Sequence, residues 1–187
     1  MFFVPRSFFG GLFFVCLLLC CIFVQTSKCF FMKEIVSSYR YWELAEDDFD
    51  ESVRKLVEAA KEASCRAYAP YSKFQVGAAV LLANGEIVTG NNQENGAYPS
   101  GLCAERTALF AAGANYPDVA VAAIAIAAQT EGEFLKKPIT PCGACRQVMQ
   151  ESEARAGSEM QIILYGTDKT LKISGVRTLL PFSFELT

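Results

Sequence analysis

Residues 98–108 read YPSGLCAERTA, and residues 141–146 read PCGACR. Cys142 and Cys145 are three residues apart, so on a helix their side chains lie on one face, about a turn from each other. We place both motifs at helix starts, where free N–H groups and the helix dipole favour the thiolate form of cysteine. A Cys-x-Glu segment followed by Pro-Cys-x-x-Cys is the three-cysteine variant of a zinc-binding signature. The two motifs therefore predict a zinc site with Cys103, Cys142 and Cys145 as ligands.

Two further residues of the first motif complete the predicted site. Three protein ligands leave one zinc position open, which a catalytic site requires. Glu105 lies two residues from Cys103 and can stand beside the metal without binding it, which suits proton transfer. Three thiolates on Zn²⁺ give a net charge of −1 and a weaker Lewis acid. Arg106 can offset that charge and donate hydrogen bonds to the sulfurs, so we expect Arg106→Ala to lower zinc retention or activity strongly.

The composition excludes several functional classes. The chain has 187 residues, a net charge of −3 and no histidine. Without histidine, Ser-His-Asp triads, Cys-His pairs and HExxH metalloprotease sites are excluded. The net negative charge does not indicate the basic patch that binding to nucleic acid requires. A small-molecule substrate fits these properties better.

Eight cysteines are present, four of them in the apolar N-terminal leader. An even count in a short chain is compatible with disulfides, but leader cysteines among leucines more often act as small apolar residues. Cys65 is predicted to be a free thiol on its helix. Because thiolate ligands persist best in a reducing compartment, we expect a cytosolic protein.

The leader divides the chain into three predicted parts. Residues 8–24 carry no charge and are near the lower length limit for a membrane-spanning helix. Three interpretations compete: a signal-anchor, a cleaved signal peptide, or a working protein that begins at Met32. We favour the third, although the first two would make the protein membrane-anchored or secretory. The predicted parts are a leader (1–31), a polar lead-in (32–49) and a catalytic domain (50–187).

Hydrophobic periodicity within the predicted domain indicates alternating helices and strands. Pro70 ends the first helix, and Asn84-Gly85 is a hairpin signal. Thr140 is predicted to cap the helix that Pro141 opens. The predicted helices are 51–69, 103–113 and 140–156, and the predicted strands are 74–83, 86–91, 119–129, 161–166 and 171–174, before a last helical turn at 176–180. This order predicts a three-layer α/β/α fold with a mixed sheet of roughly five strands.

From Val53 to Phe184 the sequence resembles the homotetrameric cytidine deaminases. The resemblance extends beyond the zinc motifs, and Gly96 departs from it by standing where the family more often has alanine. The matching segments are YSKFQVGA at 71–78, NQEN at 92–95, YPSGLCAERTA at 98–108, PCGACR at 141–146 and LLP at 179–181 with Phe184. The resemblance implies one zinc ion per subunit and a cytidine deaminase-like fold.

The resemblance also implies roles for individual residues. Asn92 and Glu94 would hydrogen-bond the ribose. Phe74 would pack near the nucleoside, and the backbone at Ala104 would contact the base. Tyr98 and Phe184 would reach across subunit interfaces, with the ring of Phe184 stacked on the pyrimidine.

The reaction that the resemblance implies is hydrolytic deamination of free cytidine and deoxycytidine in pyrimidine salvage. A zinc-activated water attacks C4 of the cytosine, and Glu105 delivers protons to N3 and to the departing ammonia. Two alternatives stay open. Deaminases of other small cytosine compounds, such as the blasticidin-type relatives, share the zinc motifs, but the segment at 92–95 favours a ribose. A non-catalytic zinc module would have no use for Glu105.

Overall fold

The structure is a computed structural model that describes residues 33–185. Residues 39–185 belong to the second of the two units into which the chain divides, and residues 33–38 have no regular secondary structure. The predicted leader, including residues 8–24, lies outside the described residues. Between residues 33 and 185, no helix combines the length and the apolar character that crossing a membrane requires.

The described part of the second unit contains a mixed sheet of seven strands. The strands are β1 (Tyr41–Leu44), β2 (Phe74–Leu82), β3 (Ile87–Asn91), β4 (Val121–Thr130), β5 (Glu133–Phe134), β6 (Gln161–Leu164) and β7 (Thr170–Ser174). Their order in the sheet is β1-β7-β6-β4-β2-β3, with β5 paired to β4. Strands β4 and β6 run parallel, and the other neighbouring pairs are antiparallel.

Helices cover both faces of this sheet. Helix α1 (Glu51–Cys65) packs on one face, and α2 (Ala104–Asn115) and α3 (Gly143–Ala156) pack on the other. The buried apolar residues accordingly form two clusters, one on each side of the sheet. The predicted three-layer α/β/α fold is confirmed.

Strand β4 is apolar on both faces because both are covered. Its alanines at 123, 125 and 127 face α1, whereas Ile124 and Ile126 belong to the cluster on the opposite side. Small residues on one face let α1 approach the sheet closely, and larger ones fill the space beneath the other two helices.

The sheet extends further than the sequence predicted. Strand β1 lies inside the segment 32–49 that was predicted as a polar lead-in, and it pairs with β7 and forms one edge of the sheet. Phe49, in the same segment, is buried in the core beside α1. A strand of four mostly exposed residues has little periodicity of its own, so the sequence did not indicate that regular structure begins before residue 50.

Two helix boundaries also differ from prediction. Helix α1 ends at Cys65, four residues earlier than expected. Helix α3 begins at Gly143 with Cys142 as its N-cap residue, so Thr140 does not cap it. The Thr140 hydroxyl instead accepts a hydrogen bond from Arg146 Nη2 at 3.3 Å.

Candidate active site

Two helix starts bring the three predicted ligands together. Cys103 is the N-cap residue of α2, Cys142 is the N-cap residue of α3, and Cys145 lies in the first turn of α3. The three sulfurs lie within 4.8 Å of one another. Cys103 Sγ is 3.9 Å from Cys142 Sγ, which is 3.4 Å from Cys145 Sγ.

These sulfur separations fit zinc. A tetrahedral ion with Zn–S bonds of about 2.3 Å requires its sulfurs to be about 3.8 Å apart. Cys145 is fully buried and Cys142 is exposed, so the cluster has a closed inner side and an open outer side. The donor set and its spacing are those of a zinc site with three thiolate ligands.

The cluster favours one thiolate in the metal-free chain. A hydrogen bond from Cys145, followed by the bond and charge of Arg106, lowers the pKa of the Cys103 thiol to about 5. The same bond, together with burial, raises the pKa of the Cys145 thiol well above its ordinary value. The shared proton therefore stays on Cys145 until a metal replaces it.

Glu105 lies in the first turn of α2 and is 4% exposed. Burial raises the pKa of its carboxyl group, and the negative charge on Cys103 raises it further. The main-chain N–H of Glu105 itself acts in the opposite direction and lowers the pKa. A carboxyl group with a raised pKa beside the metal ligands is suited to take up and release protons.

Arg106 follows Glu105 and faces the cluster. Its Nη2 lies 3.9 Å from Cys103 Sγ. Its Nε is the single buried side-chain nitrogen or oxygen without a hydrogen-bond partner in the part of the chain that the structure describes. Among residues 33–185 the guanidinium group forms no ion pair with a carboxylate, and it brings positive charge to the sulfurs.

A backbone bridge holds the segment at 92–95 beside the loop that precedes the metal ligands. Gln93 and Leu102 exchange two main-chain hydrogen bonds of 2.9 Å. On the other side, Tyr68 N donates to Asn92 O at 3.0 Å, and Glu94 N donates to Tyr68 O at 2.8 Å. Since Leu102 precedes Cys103, the residues predicted to bind ribose lie next to the metal-binding loop.

The side chain of Asn92 bonds to the main chain of strand β2. Its Oδ1 accepts from Val76 N at 2.7 Å, and its Nδ2 donates to Phe74 O at 2.9 Å. Phe74 is half-buried and packs against the core. Asn92 therefore fixes the start of β2, which includes the phenylalanine predicted to contact the nucleoside.

Glu94 orders the loop before that strand. Its Oε2 accepts hydrogen bonds from Tyr71 N at 2.9 Å and Ser72 N at 3.2 Å. These bonds, with one from the Ser72 side chain as the largest contribution, lower the pKa of the Glu94 carboxyl group. The rings of Tyr71 and Tyr98 form a T-shaped pair with centroids 6.2 Å apart, and Tyr98 itself is 76% exposed.

The last two predicted site residues lie at opposite extremes of burial. Ala104 is completely buried at the start of α2, whereas Phe184 is 69% exposed on the C-terminal segment. The main chain of Phe184 is held by Gln147 of α3, a residue that the sequence analysis did not identify. No local pattern marks a glutamine on a helix surface as a tail contact.

The fold, the cysteine cluster and the buried glutamate together define a zinc-dependent hydrolase of the deaminase type. Residues 50–158 match the family described as "Cytidine and deoxycytidylate deaminase zinc-binding region". The chain is 42% identical over 133 residues to a cytidine deaminase of Sporosarcina psychrophila, covering 71% of this chain and 91% of the relative. The chain belongs to the cytidine and deoxycytidylate deaminase family.

Further relatives and solved structures agree with this assignment. A cytidine deaminase of Halalkalibacterium halodurans is 50% identical over 98 residues, covering 51% of this chain and 68% of the relative. The crystal structure of cytidine deaminase from Burkholderia pseudomallei superposes with a TM-score of 0.59 and 41% identity, covering 70% of this chain and 98% of that one. The corresponding Mycobacterium tuberculosis structure gives a TM-score of 0.57 and 34% identity over 73% of this chain and all of that one.

Proposed function

We propose that this chain hydrolyses cytidine and deoxycytidine to uridine and deoxyuridine, with release of ammonia, in pyrimidine salvage. The observation that supports the proposal most directly is Glu105, a buried carboxyl group beside three clustered cysteines. A zinc site that only stabilised the fold would have no use for a buried acid at this point. Membership of the deaminase family supplies the reaction class.

Cys103, Cys142 and Cys145 would hold the zinc ion, which when bound acts as a Lewis acid that lowers the pKa of water. Glu105 would take up the two protons of the attacking water in turn, passing the first to N3 and the second, released from the oxygen now on C4, to the departing amino group. Its raised pKa suits it to act as base and acid in turn. Arg106 offsets the charge of the three thiolates.

We assign nucleoside binding to the loop that bridges to Leu102. Both main-chain bonds to Glu94 go to Oε2, so we assign Oε1 to a ribose hydroxyl. Asn92 has one amide hydrogen beyond its bond to Phe74 O, which can serve the same sugar. The bonds of Asn92 to the start of β2 would keep Phe74 against the nucleoside. The backbone at Ala104 would contact the base.

We propose that the enzyme assembles as a homotetramer in the cytosol. Tyr98 and Phe184 are 76% and 69% exposed in the single chain, as expected of aromatic residues that pack against neighbouring subunits. The reducing cytosol would preserve the three thiols. We propose residues 50–187 as the catalytic domain and residues 1–31 as an apolar leader, with strand β1 and Phe49 of the segment 32–49 packed against the domain.

The test is cytidine turnover by the full chain with a metal analysis of the same sample. We expect one zinc ion per chain and conversion of cytidine to uridine. Glu105→Gln should retain zinc but lower kcat by at least about 100-fold. Bound zinc with no turnover of cytidine or deoxycytidine would contradict the proposal and favour another small cytosine compound as substrate.

A further inference from the structure

The side-chain amide of Gln147 forms two hydrogen bonds with the main chain of Phe184. Gln147 Nε2 donates to Phe184 O at 2.8 Å, and Phe184 N donates to Gln147 Oε1 at 3.2 Å. One side chain thus satisfies both polar groups of a single residue, as a neighbouring strand would. The pairing fixes the position of the Phe184 main chain while its ring remains 69% exposed.

The helix that provides this clamp also provides two metal ligands. Gln147 lies two residues after Cys145, on the first turns of α3. The intervening Arg146 donates from Nε to Pro141 O at 2.8 Å and from Nη1 to Leu179 O at 2.7 Å. The metal-binding turn and the C-terminal segment are therefore tied to one rigid element.

The next turn of α3 contacts the same segment in a different way. Gln150 Nε2 donates to Glu185 Oε1 at 3.1 Å. This bond joins two side chains and does not involve the main chain of Glu185. The bonds made by Gln147 are the ones that fix the backbone at Phe184. This difference provides a matched pair of glutamines, one clamping the main chain and one touching only a side chain.

We infer that Gln147 is a positioning residue for catalysis, acting through Phe184 on the pyrimidine bound in a second copy of the chain. The inference rests on the proposed function, in which the Phe184 ring stacks on the base. An exposed ring can be preorganised only through its main chain, and preorganisation lowers the entropy lost on binding. Removing the clamp should weaken nucleoside binding while the metal site stays intact.

A double-mutant cycle tests this role. The variants are Gln147→Ala, Phe184→Ala and the double variant, with Gln150→Ala as the matched control. We expect Gln147→Ala to raise KM for cytidine about tenfold, the order expected for two lost hydrogen bonds, with one zinc per chain retained. On the Phe184→Ala background the same substitution should change KM less than about twofold, because a residue that acts through another has no separate effect.

Two further measurements test the same role of Gln147. Gln147→Glu keeps the acceptor for Phe184 N but loses the donor, so its KM should lie between those of the unmodified chain and Gln147→Ala. The amide hydrogen of Phe184 should exchange faster in Gln147→Ala and at the original rate in Gln150→Ala.

The outcomes separate the inference from the proposed function. An equal rise in KM on both backgrounds, loss of zinc in Gln147→Ala, or no effect of Phe184→Ala on KM would each overturn the positioning role while leaving cytidine turnover established. An unmodified chain that does not turn over cytidine or deoxycytidine would overturn both.

Discussion

Gly77 of strand β2 lies directly against the Ala60 carbonyl oxygen of helix α1. A Cβ atom on Gly77 would overlap that oxygen and Ser64 N, both of which are main-chain atoms that cannot rotate away. The alanines of β4 that face α1 permit the same close packing. The distance between α1 and the sheet is thus set by the absence of a side chain at one position.

Gly77→Ala should therefore destabilise the protein by about 1–3 kcal/mol, the usual cost of overpacking a core. Urea unfolding would measure the change. Gly113→Ala on α2 is the matched control, because its Cβ would meet only Arg155 Nη1, at an ordinary 3.4 Å. That control should be neutral or stabilising by up to about 1 kcal/mol. Equal stability of the two variants would show that α1 can shift freely.

Asn92→Ala should lose about 1–3 kcal/mol of unfolding free energy, because Val76 N and Phe74 O would lose their partner. Asn92→Asp keeps the acceptor for Val76 N and should lose less of that free energy. Asn95→Ala, which removes only a local bond to Ala97 N, serves as the control. Thermal unfolding of the three variants would show whether Asn92 has a structural role in addition to the proposed contact with ribose.

Glu105→Gln should stabilise the metal-free protein at neutral pH, even though it should lower kcat by at least about 100-fold. The pKa of Glu105 is raised in the folded chain, so its ionisation lowers stability as the pH rises from the ordinary carboxyl value, and the loss is complete above the folded-state pKa. Below the ordinary carboxyl value of 4.5 both folded and unfolded chains are protonated, and the difference should vanish. Urea unfolding of both metal-free proteins across pH would measure this. A variant less stable than the unmodified chain at pH 7 would contradict the assignment.

Zinc binding should release protons from the cysteine cluster at pH 7. The Cys145 thiol has a raised pKa in the metal-free chain and must lose its proton to become a ligand, whereas Cys103, with a pKa of about 5, is already a thiolate. Zinc affinity should accordingly fall as the pH is lowered. Calorimetry in buffers of different ionisation enthalpy counts the protons released.

Cys65→Ser is the control for that experiment, since Cys65 is exposed and lies outside the cluster. Its proton release and zinc affinity should equal those of the unmodified chain. Zinc binding without proton release at pH 7 would show that Cys145 does not ligate as a thiolate.

Local patterns predicted most of the elements correctly. The apolar run of β4 and the amphipathic period of α1 identified both, although the ends of helices shifted by a few residues. Strand β1 was missed because its order comes from pairing with β7, and no property of four mostly exposed residues indicates that partner. The start of α3 was predicted at the wrong residue because the Thr140 hydroxyl accepts a hydrogen bond from Arg146, a residue of the helix itself, and does not cap the helix.

Some features of the site could likewise be predicted from local sequence, and others could not. Spacing and residue type were sufficient to select Cys142, Cys145 and Glu105. The bonds of Asn92 to strand β2 and of Gln147 to Phe184 join residues 16 and 37 positions apart. A single sequence provides no signal for such pairs, because neither partner is unusual in its local context.

The sequence by itself determined the chemistry of this protein: three soft ligands, one acid, no histidine, and helix starts that favour thiolates. Those properties depend on residue type and on spacing within one turn. Only the tertiary structure brought Cys103 to Cys142 across 39 residues, buried Glu105 and so raised its pKa, and placed the Phe184 main chain on the helix that holds the metal ligands. These features depend on how the two helix starts pack on one face of the sheet, which is set by contacts between distant parts of the chain.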